Sequence, residues 1–193
     1  MAKYNEQEEK EIILQAKNDF KAFDYIYEKY MPVIFNYVMY RVYNREVAED
    51  IVSTVFYKAM KNLALFKWRK IPFSAWLYRI AFNEICNHAK REKKLQKISR
   101  NYHLETEDKH HDSYQSKNEK SFEFVHTYLK QLPMKDQDLI TLRFFERKAF
   151  SEIAELTGKN ESTLRVNLHR ALKKLETLIP EEVFNEALKQ ISM

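Results

Sequence analysis

Ser151-Glu-Ile-Ala-Glu-Leu-Thr-Gly-Lys-Asn-Glu-Ser-Thr-Leu-Arg-Val-Asn-Leu-His-Arg-Ala-Leu-Lys-Lys-Leu175 reads as two helices with a sharp turn between them. Ser151 can cap a short helix over Glu152 to Leu156. Thr157 and Gly158 end it. Gly158 is the only glycine in the chain, and a tight turn after a helix favours positive φ. Asn160 can cap the next helix, which runs to about Ile179. Its apolar stripe is Leu164, Leu168, Ala171, Leu172, Leu175 and Leu178. Its other face carries Ser162, Thr163, Arg165, Asn167, His169, Arg170, Lys173 and Lys174. A short helix, a glycine turn and a second helix with a polar, basic outer face describe a helix-turn-helix. Such a second helix enters the major groove amino end first. Arg165 suits a guanine edge, Asn167 an adenine edge, and the Thr163 methyl a thymine methyl. Arg170, Lys173 and Lys174 are better placed for phosphates. The same pattern also fits a helical hairpin with an amphipathic surface helix.

Upstream of this motif, Phe122 to Leu132 reads as one helix ended by Pro133. Lys135 to Glu146 reads as another, with Leu139, Leu142, Phe144 and Phe145 apolar. Before these lies a polar stretch, roughly His88 to Ser121. It opens with Lys90, Arg91, Lys93, Lys94, Lys97 and Arg100 against a single acid, Glu92. A long polar stretch between two periodic blocks reads as a linker between two domains.

The amino-terminal block is helical too. Over Glu46 to Leu63, the residues Ala48, Ile51, Val52, Val55, Phe56, Ala59, Met60 and Leu63 form one stripe at spacings of three and four. Asp50, Ser53, Thr54, Tyr57 and Lys61 fall on the solvent side. An earlier helix runs from about Lys21 to Val42, with a kink or break expected at Pro32. Lys67-Trp-Arg-Lys-Ile-Pro72 reads as a loop, after which Ser74 can cap a helix that continues into the basic stretch. At 100° per residue, Trp76, Arg79, Asn83, Asn87, Lys90 and Lys94 share one face of it, while Leu77, Ile80, Ala81 and Ile85 adjoin and pack inward. That face is aromatic, then amide, then cationic. In the loop, Trp68 is flanked by Lys67, Arg69 and Lys70. A ring flanked by cations can stack an unpaired base and hold its phosphate. The plainer reading is a solvated helix face with a half-buried tryptophan.

Composition narrows the rest. The 193 residues are 45% hydrophobic and 32% charged, so a packed core is expected rather than disorder. The net charge of +5 is modest, and its placement matters more than its sum. One glycine excludes every Gly-rich phosphate loop. One cysteine, Cys86, excludes an internal disulfide and a cysteine-based metal cage. Few turn residues argue against a sheet protein. No apolar run approaches a membrane span, and Met1 to Gln15 is too polar for a signal peptide. The expected class is all-α: two small helical domains, soluble and cytoplasmic.

Several segments together resemble the extracytoplasmic-function (ECF) sigma factors, small bacterial initiation factors. The matching text is Phe23 to Tyr30, Ala48-Glu-Asp-Ile-Val52 with Phe56, and Phe73-Ser-Ala-Trp-Leu-Tyr-Arg-Ile-Ala81 with Asn83. Further on it is Leu132-Pro133, Leu142-Arg-Phe-Phe-Glu146, Ser151-Glu-Ile-Ala154, Gly158 and Leu168-His-Arg-Ala-Leu-Lys-Lys-Leu175. The resemblance covers most of residues 20 to 180.

It implies sigma region two over residues 1–97, a linker over 98–121, and sigma region four over 122–193. Region two would bind the β′ clamp helices of core RNA polymerase and open the minus-ten element. Region four would read the minus-thirty-five element and touch the β flap. By position, Asp50 matches the acidic residue of the clamp-binding helix, with Ser53, Thr54 and Tyr57 beside it. Ser53 and Thr54 depart from the usual Gln-acid pair. Lys67 to Pro72, with Trp68, Arg69 and Lys70, matches the segment that captures a flipped base. Trp76, Tyr78, Arg79, Asn83 and Asn87 belong to the helix that meets the melted strand. Thr163, Arg165, Val166, His169 and Arg170 match recognition-helix positions, joined by Ser162, Asn167 and Lys173. Val166 replaces a common Ser, Asn167 a common Arg, and Lys159 an apolar residue, which points to a private promoter preference. The family commonly has an anti-sigma partner.

Residues 101 to 121 number 21 and reach roughly 70 Å when stretched, against about 25 Å as a free coil. The linker is therefore expected to be compact or disordered in the free protein and extended on polymerase. No catalysis, cofactor or metal is expected. His110, His111 and Asp112 lack a partner at helical spacing, and no nucleophile–base arrangement follows a known signature. Two other readings stay open: an autonomous helix-turn-helix regulator with a helical effector or dimerisation domain, and a helical adaptor that binds RNA or protein through the basic stripe.

Overall fold

The computed structural model describes residues 6–68, 72–101 and 125–180. Every regular element among them is helical. The chain divides into two compact units, with the main boundary between His88 and Ala89.

In the first unit, α1 (Glu6–Ala16) packs on α2 (Phe20–Val42). Asp19 caps α2 by accepting from the Lys21 amide at 2.9 Å. Tyr43 ends it in the left-handed region, φ 51°, with its amide donating to the Met39 carbonyl. Of the kink or break expected at Pro32, the break does not occur: the helix continues through it. Proline removes one backbone donor and crowds the preceding turn. Here Phe23 and Ile26 before it, and Ile34, Tyr37 and Val38 after it, are all buried, so packing on both sides holds the helix together.

Asn44 caps α3 (Arg45–Asn62), accepting from the Val47 amide at 2.8 Å. Ala48, Ile51, Val52, Val55, Phe56 and Ala59 are buried, six of the eight stripe residues. Leu63 is also buried, in the 3-10 turn Leu63–Leu65 that follows, while Met60 is only partly covered. Burying each large side chain contributes about 1.5–3 kcal/mol. An aspartate at fully buried Val55 would break this helix–helix seam, because its charge would have no partner.

The helix α4 (Phe73–Asn101) starts one residue before Ser74, so Ser74 lies in its first turn and is not the cap. Phe73, Leu77, Ala81 and Ile85 are buried. The helix extends to Asn101, into the segment that the sequence assigns to the linker. The remaining linker residues, His110, His111 and Asp112 among them, and the tail from residue 181 lie outside the described residues.

The second unit begins with a helical stretch over residues 125–129. Pro133 is followed by α5 (Met134–Ile140), which packs against α7 (Glu161–Leu178). Buried Gln137 donates to the Leu132 carbonyl at 2.8 Å and the Lys130 carbonyl at 3.3 Å, closing the chain reversal. The helix expected to Glu146 instead widens into a π-helical turn, Thr141–Phe145, with the Glu146 amide donating to the Thr141 carbonyl. The wider turn changes which side chains face inward. Thr141 and Leu142 are buried, and Phe144, one of the helix's apolar positions, is 53% exposed.

The next helix, α6, spans Phe150–Thr157. Ser151 is not its cap. The Glu152 carboxylate reaches back to accept from the Ala149 amide at 2.6 Å, half of a capping box with Ala149 at the cap position. Gly158 has φ +70°, as the turn requires. Asn160 caps α7, accepting from the Thr163 amide at 2.8 Å. Leu164, Leu168 and Ala171 are buried, Leu175 and Leu178 are partly covered, and Leu172 is exposed. Towards its carboxyl end, the helix is covered on a narrower arc than the leucine spacing suggests. Lys174 pairs with Asp136 of α5 at 2.7 Å, so it is engaged within the fold rather than held out for phosphate.

Candidate nucleic-acid interface

On the first unit the interface is built around Phe66. Its carbonyl accepts from the Lys17 ammonium at 2.7 Å. Its ring lies 5.1 Å from Phe73, 5.1 Å from Trp76 and 6.1 Å from Trp68. Phe73 and Trp76 are 5.3 Å apart, and Tyr30 lies 5.6 Å from Phe73. Phe66 and Phe73 are buried, while Trp68 and Trp76 are half-buried. Both tryptophans therefore rest on a fixed aromatic base and keep part of their surface for a ligand. Lys67 is exposed beside them. Arg69 and Lys70 lie outside the described residues.

From Trp76 the stripe runs along α4. Arg79, Asn83, Asn87, Lys90 and Lys94 are all exposed. The Asn87 amide stands 3.5 Å from the Glu84 carboxylate, and Lys58 of α3 holds that carboxylate at 2.7 Å. Tyr78 requires a correction. It is 6% exposed, and its ring packs edge-on against Tyr37 at 4.9 Å. It lies beside Leu77 on the inward arc, so its ring is part of the core and cannot meet a strand.

On α3, Asp50 and Ser53 are exposed and Tyr57 is 58% exposed, forming an outward row at spacings of three and four. Thr54 is half-exposed, and its hydroxyl donates to the Asp50 carbonyl at 2.9 Å. That bond turns the hydroxyl back onto its own helix.

On the second unit, the face of α7 opens with Ser162, whose hydroxyl donates to the Asn160 side chain at 3.0 Å. Thr163, Arg165, Val166, His169, Arg170 and Lys173 are exposed, and Asn167 is half-exposed. Arg165 is held on two sides. Glu161, one turn back, pairs with it at 3.0 Å, and its guanidinium lies over the Phe150 ring at 4.3 Å. The same ring carries the Arg143 guanidinium at 5.1 Å, and Arg143 also donates to the Lys148 carbonyl at 2.8 Å. Sequence reasoning missed Phe150 and Arg143. They lie on different elements from Arg165, and no helical spacing links the three.

Two outward faces result: the aromatic and amide stripe of α4, continued by Lys90 and Lys94 past the unit boundary, and the basic outer face of the helix-turn-helix. Cations of this kind can neutralise phosphate, amides and guanidinium can read base edges, and half-covered indoles can stack bases. No helix among the described residues is long and apolar enough to cross a membrane.

Residues 26–95 match the family model of Sigma-70 region 2, and residues 125–175 that of Sigma-70, region 4. The chain is 34% identical to RNA polymerase sigma factor YlaC of Bacillus subtilis, over 81% of this chain and 93% of that protein. It is 28% identical to ECF RNA polymerase sigma factor BldN of Streptomyces coelicolor, over 83% of this chain but only 61% of that protein's length. A solved structure of the sigma factor RpoE from Bartonella quintana, in complex with the anti-sigma factor NepR, has the same fold. Its TM-score is 0.58 at 20% identity, covering 82% of this chain and 96% of that one.

Proposed function

This chain belongs to the ECF family of RNA polymerase sigma factors, and on that premise we propose how it recognises and opens a promoter. It directs core RNA polymerase to specific promoters and starts transcription there. Residues 1–97 act as region two, 98–121 as linker and 122–193 as region four. Asp50, Ser53, Thr54 and Tyr57 meet the β′ clamp helices, and region four touches the β flap. Trp68, with Lys67, Arg69 and Lys70, captures a flipped minus-ten base. Trp76, Arg79, Asn83 and Asn87 hold the melted strand. Ser162, Thr163, Arg165, Val166, Asn167, His169, Arg170 and Lys173 face the minus-thirty-five element, with Arg165 on a guanine edge. An anti-sigma protein is the expected antagonist, and the working compartment is the cytoplasm.

The observation that carries this reading is the pair of outward faces just described, one suited to unpaired bases and one to a duplex groove. No bond is made or broken by the protein itself. Opening draws on binding energy: flipping a base out of the stack costs a few kcal/mol, and stacking on an indole returns about 1–3 kcal/mol per base. An autonomous helix-turn-helix regulator would need only the second face, and would leave the tryptophan pair on Phe66 unused.

The test is capture of core RNA polymerase by the purified chain, followed by run-off transcription from promoter DNA. Polymerase-dependent initiation at sites with both elements is expected. Tight binding to duplex operators without polymerase would overturn the proposal in favour of the regulator.

A further inference from the structure

We infer that Phe150 is a positioning residue for promoter reading: its ring holds the Arg165 guanidinium in the pose that meets a base edge. The inference rests on the assignment of α7 as the recognition helix. Arg165 lies near the start of that helix, exposed, on a long side chain with many rotamers. A bidentate contact to a guanine edge needs the guanidinium plane in one orientation. Two groups limit its motion. Glu161, at 3.0 Å, supplies charge, but both side chains of that pair are about half exposed, and such a pair is a weak constraint. Phe150 supplies a flat surface at 4.3 Å, within the range of a cation–π contact.

Phe150 is itself fixed. It is the first residue of α6, directly after the cap position that Glu152 closes. Arg143 lies over the same ring at 5.1 Å and is tied to the Lys148 carbonyl. The ring thus joins the π-helical turn, the first helix of the motif and the reading residue of the second. A phenyl group makes no sequence-specific hydrogen bond, so its influence on base choice would pass through Arg165.

The experiment uses the full chain with core polymerase on a promoter set in which each minus-thirty-five base pair is changed in turn. Variants are Phe150→Leu, which keeps apolar bulk without a π face, Phe150→Tyr, which keeps the face, and Arg165→Ala. Arg165→Ala is expected to flatten preference at one position. Phe150→Leu is expected to reduce preference at that same position by about 2- to 10-fold, and Phe150→Tyr to retain it. If Arg165→Ala flattens one position while Phe150→Leu leaves preference there unchanged, or weakens all promoters equally, the positioning role is overturned and the recognition helix stands. Loss of preference in Phe150→Tyr equal to that in Phe150→Leu also overturns it. If Arg165→Ala changes no preference at all, the assignment of Arg165 as a reading residue falls first.

Discussion

Lys58 of α3 holds Glu84 of α4 at 2.7 Å, across 26 residues of sequence, with the carboxylate side chain only 10% exposed and the lysine 44%. This bond fixes the helix with the outward Asp50 row against the helix with the amide-cation stripe. Lys58→Ala should cost about 1 kcal/mol: more than a fully exposed pair, because a mostly buried carboxylate loses its partner. The midpoint of urea unfolding would move down accordingly. An unchanged midpoint would mean that the carboxylate re-pairs or takes up water.

Asp50 is exposed and makes no side-chain contribution to the core. Asp50→Arg should therefore leave helicity unchanged and folding stability within about 0.5 kcal/mol of the parent while weakening capture of core polymerase at least tenfold. Co-purification from a mixture with core enzyme reads this directly. Equal loss of folding and capture would place Asp50 in the fold instead.

Trp68 lies 6.1 Å from Phe66 and stays half-exposed. Trp68→Ala should remove about 1–3 kcal/mol of base stacking and slow promoter opening by a comparable factor. A template already mispaired across the minus-ten element should restore the rate. If the mispaired template gave no recovery, the tryptophan would be acting through the packing of Phe66.

At Gly158 the cost of substitution is conformational. A Cβ there would meet nothing within 4 Å, yet φ is +70°. Gly158→Ala should destabilise by about 1–2 kcal/mol, and Gly158→Asn by less, because asparagine tolerates this region. Thermal melts of the two variants would rank them, and equal losses would contradict the account.

Burial pushes the Tyr30 hydroxyl above its ordinary range, and its bond to the Glu9 carboxylate adds to the effect. Lys29 pairs with the same carboxylate at 2.9 Å. A phenol held protonated in the fold but free to ionise when unfolded contributes fully below about pH 10 and progressively less above it. Wild-type stability should thus fall more steeply than that of Tyr30→Phe as alkali is added. Parallel curves would show that Tyr30 ionises alike in both states.

Much of this was legible in the residues. The burial of Ala48, Ile51, Val52, Val55, Phe56 and Ala59 follows from helical spacing alone, since α3 meets its neighbours along one narrow stripe. The Asn160 cap and the Gly158 turn were readable because each rests on local stereochemistry. The misses share a different cause. Tyr78 is buried because the inward arc of α4 is wide enough to take it beside Leu77, which periodicity does not state. Phe144 turns outward because the turn after Ile140 holds one residue more than an α-helical turn. Ala149 serves as a cap through the side chain of Glu152, three residues away. The hold of Phe150 on Arg165 exists only once two helices and a turn have folded around one ring.

The far end of α4 has a consequence of its own. Every side chain from Arg91 to Ile98 is exposed, so these turns rest on intrinsic propensity and get little help from packing. Four of the eight are lysine or arginine against a single acid, Glu92, crowded along a single rod. In dilute buffer their mutual repulsion works against the coil of backbone that carries them. A polyanion laid alongside would relieve that repulsion, stiffen the rod and slow the exchange of its amide hydrogens with water.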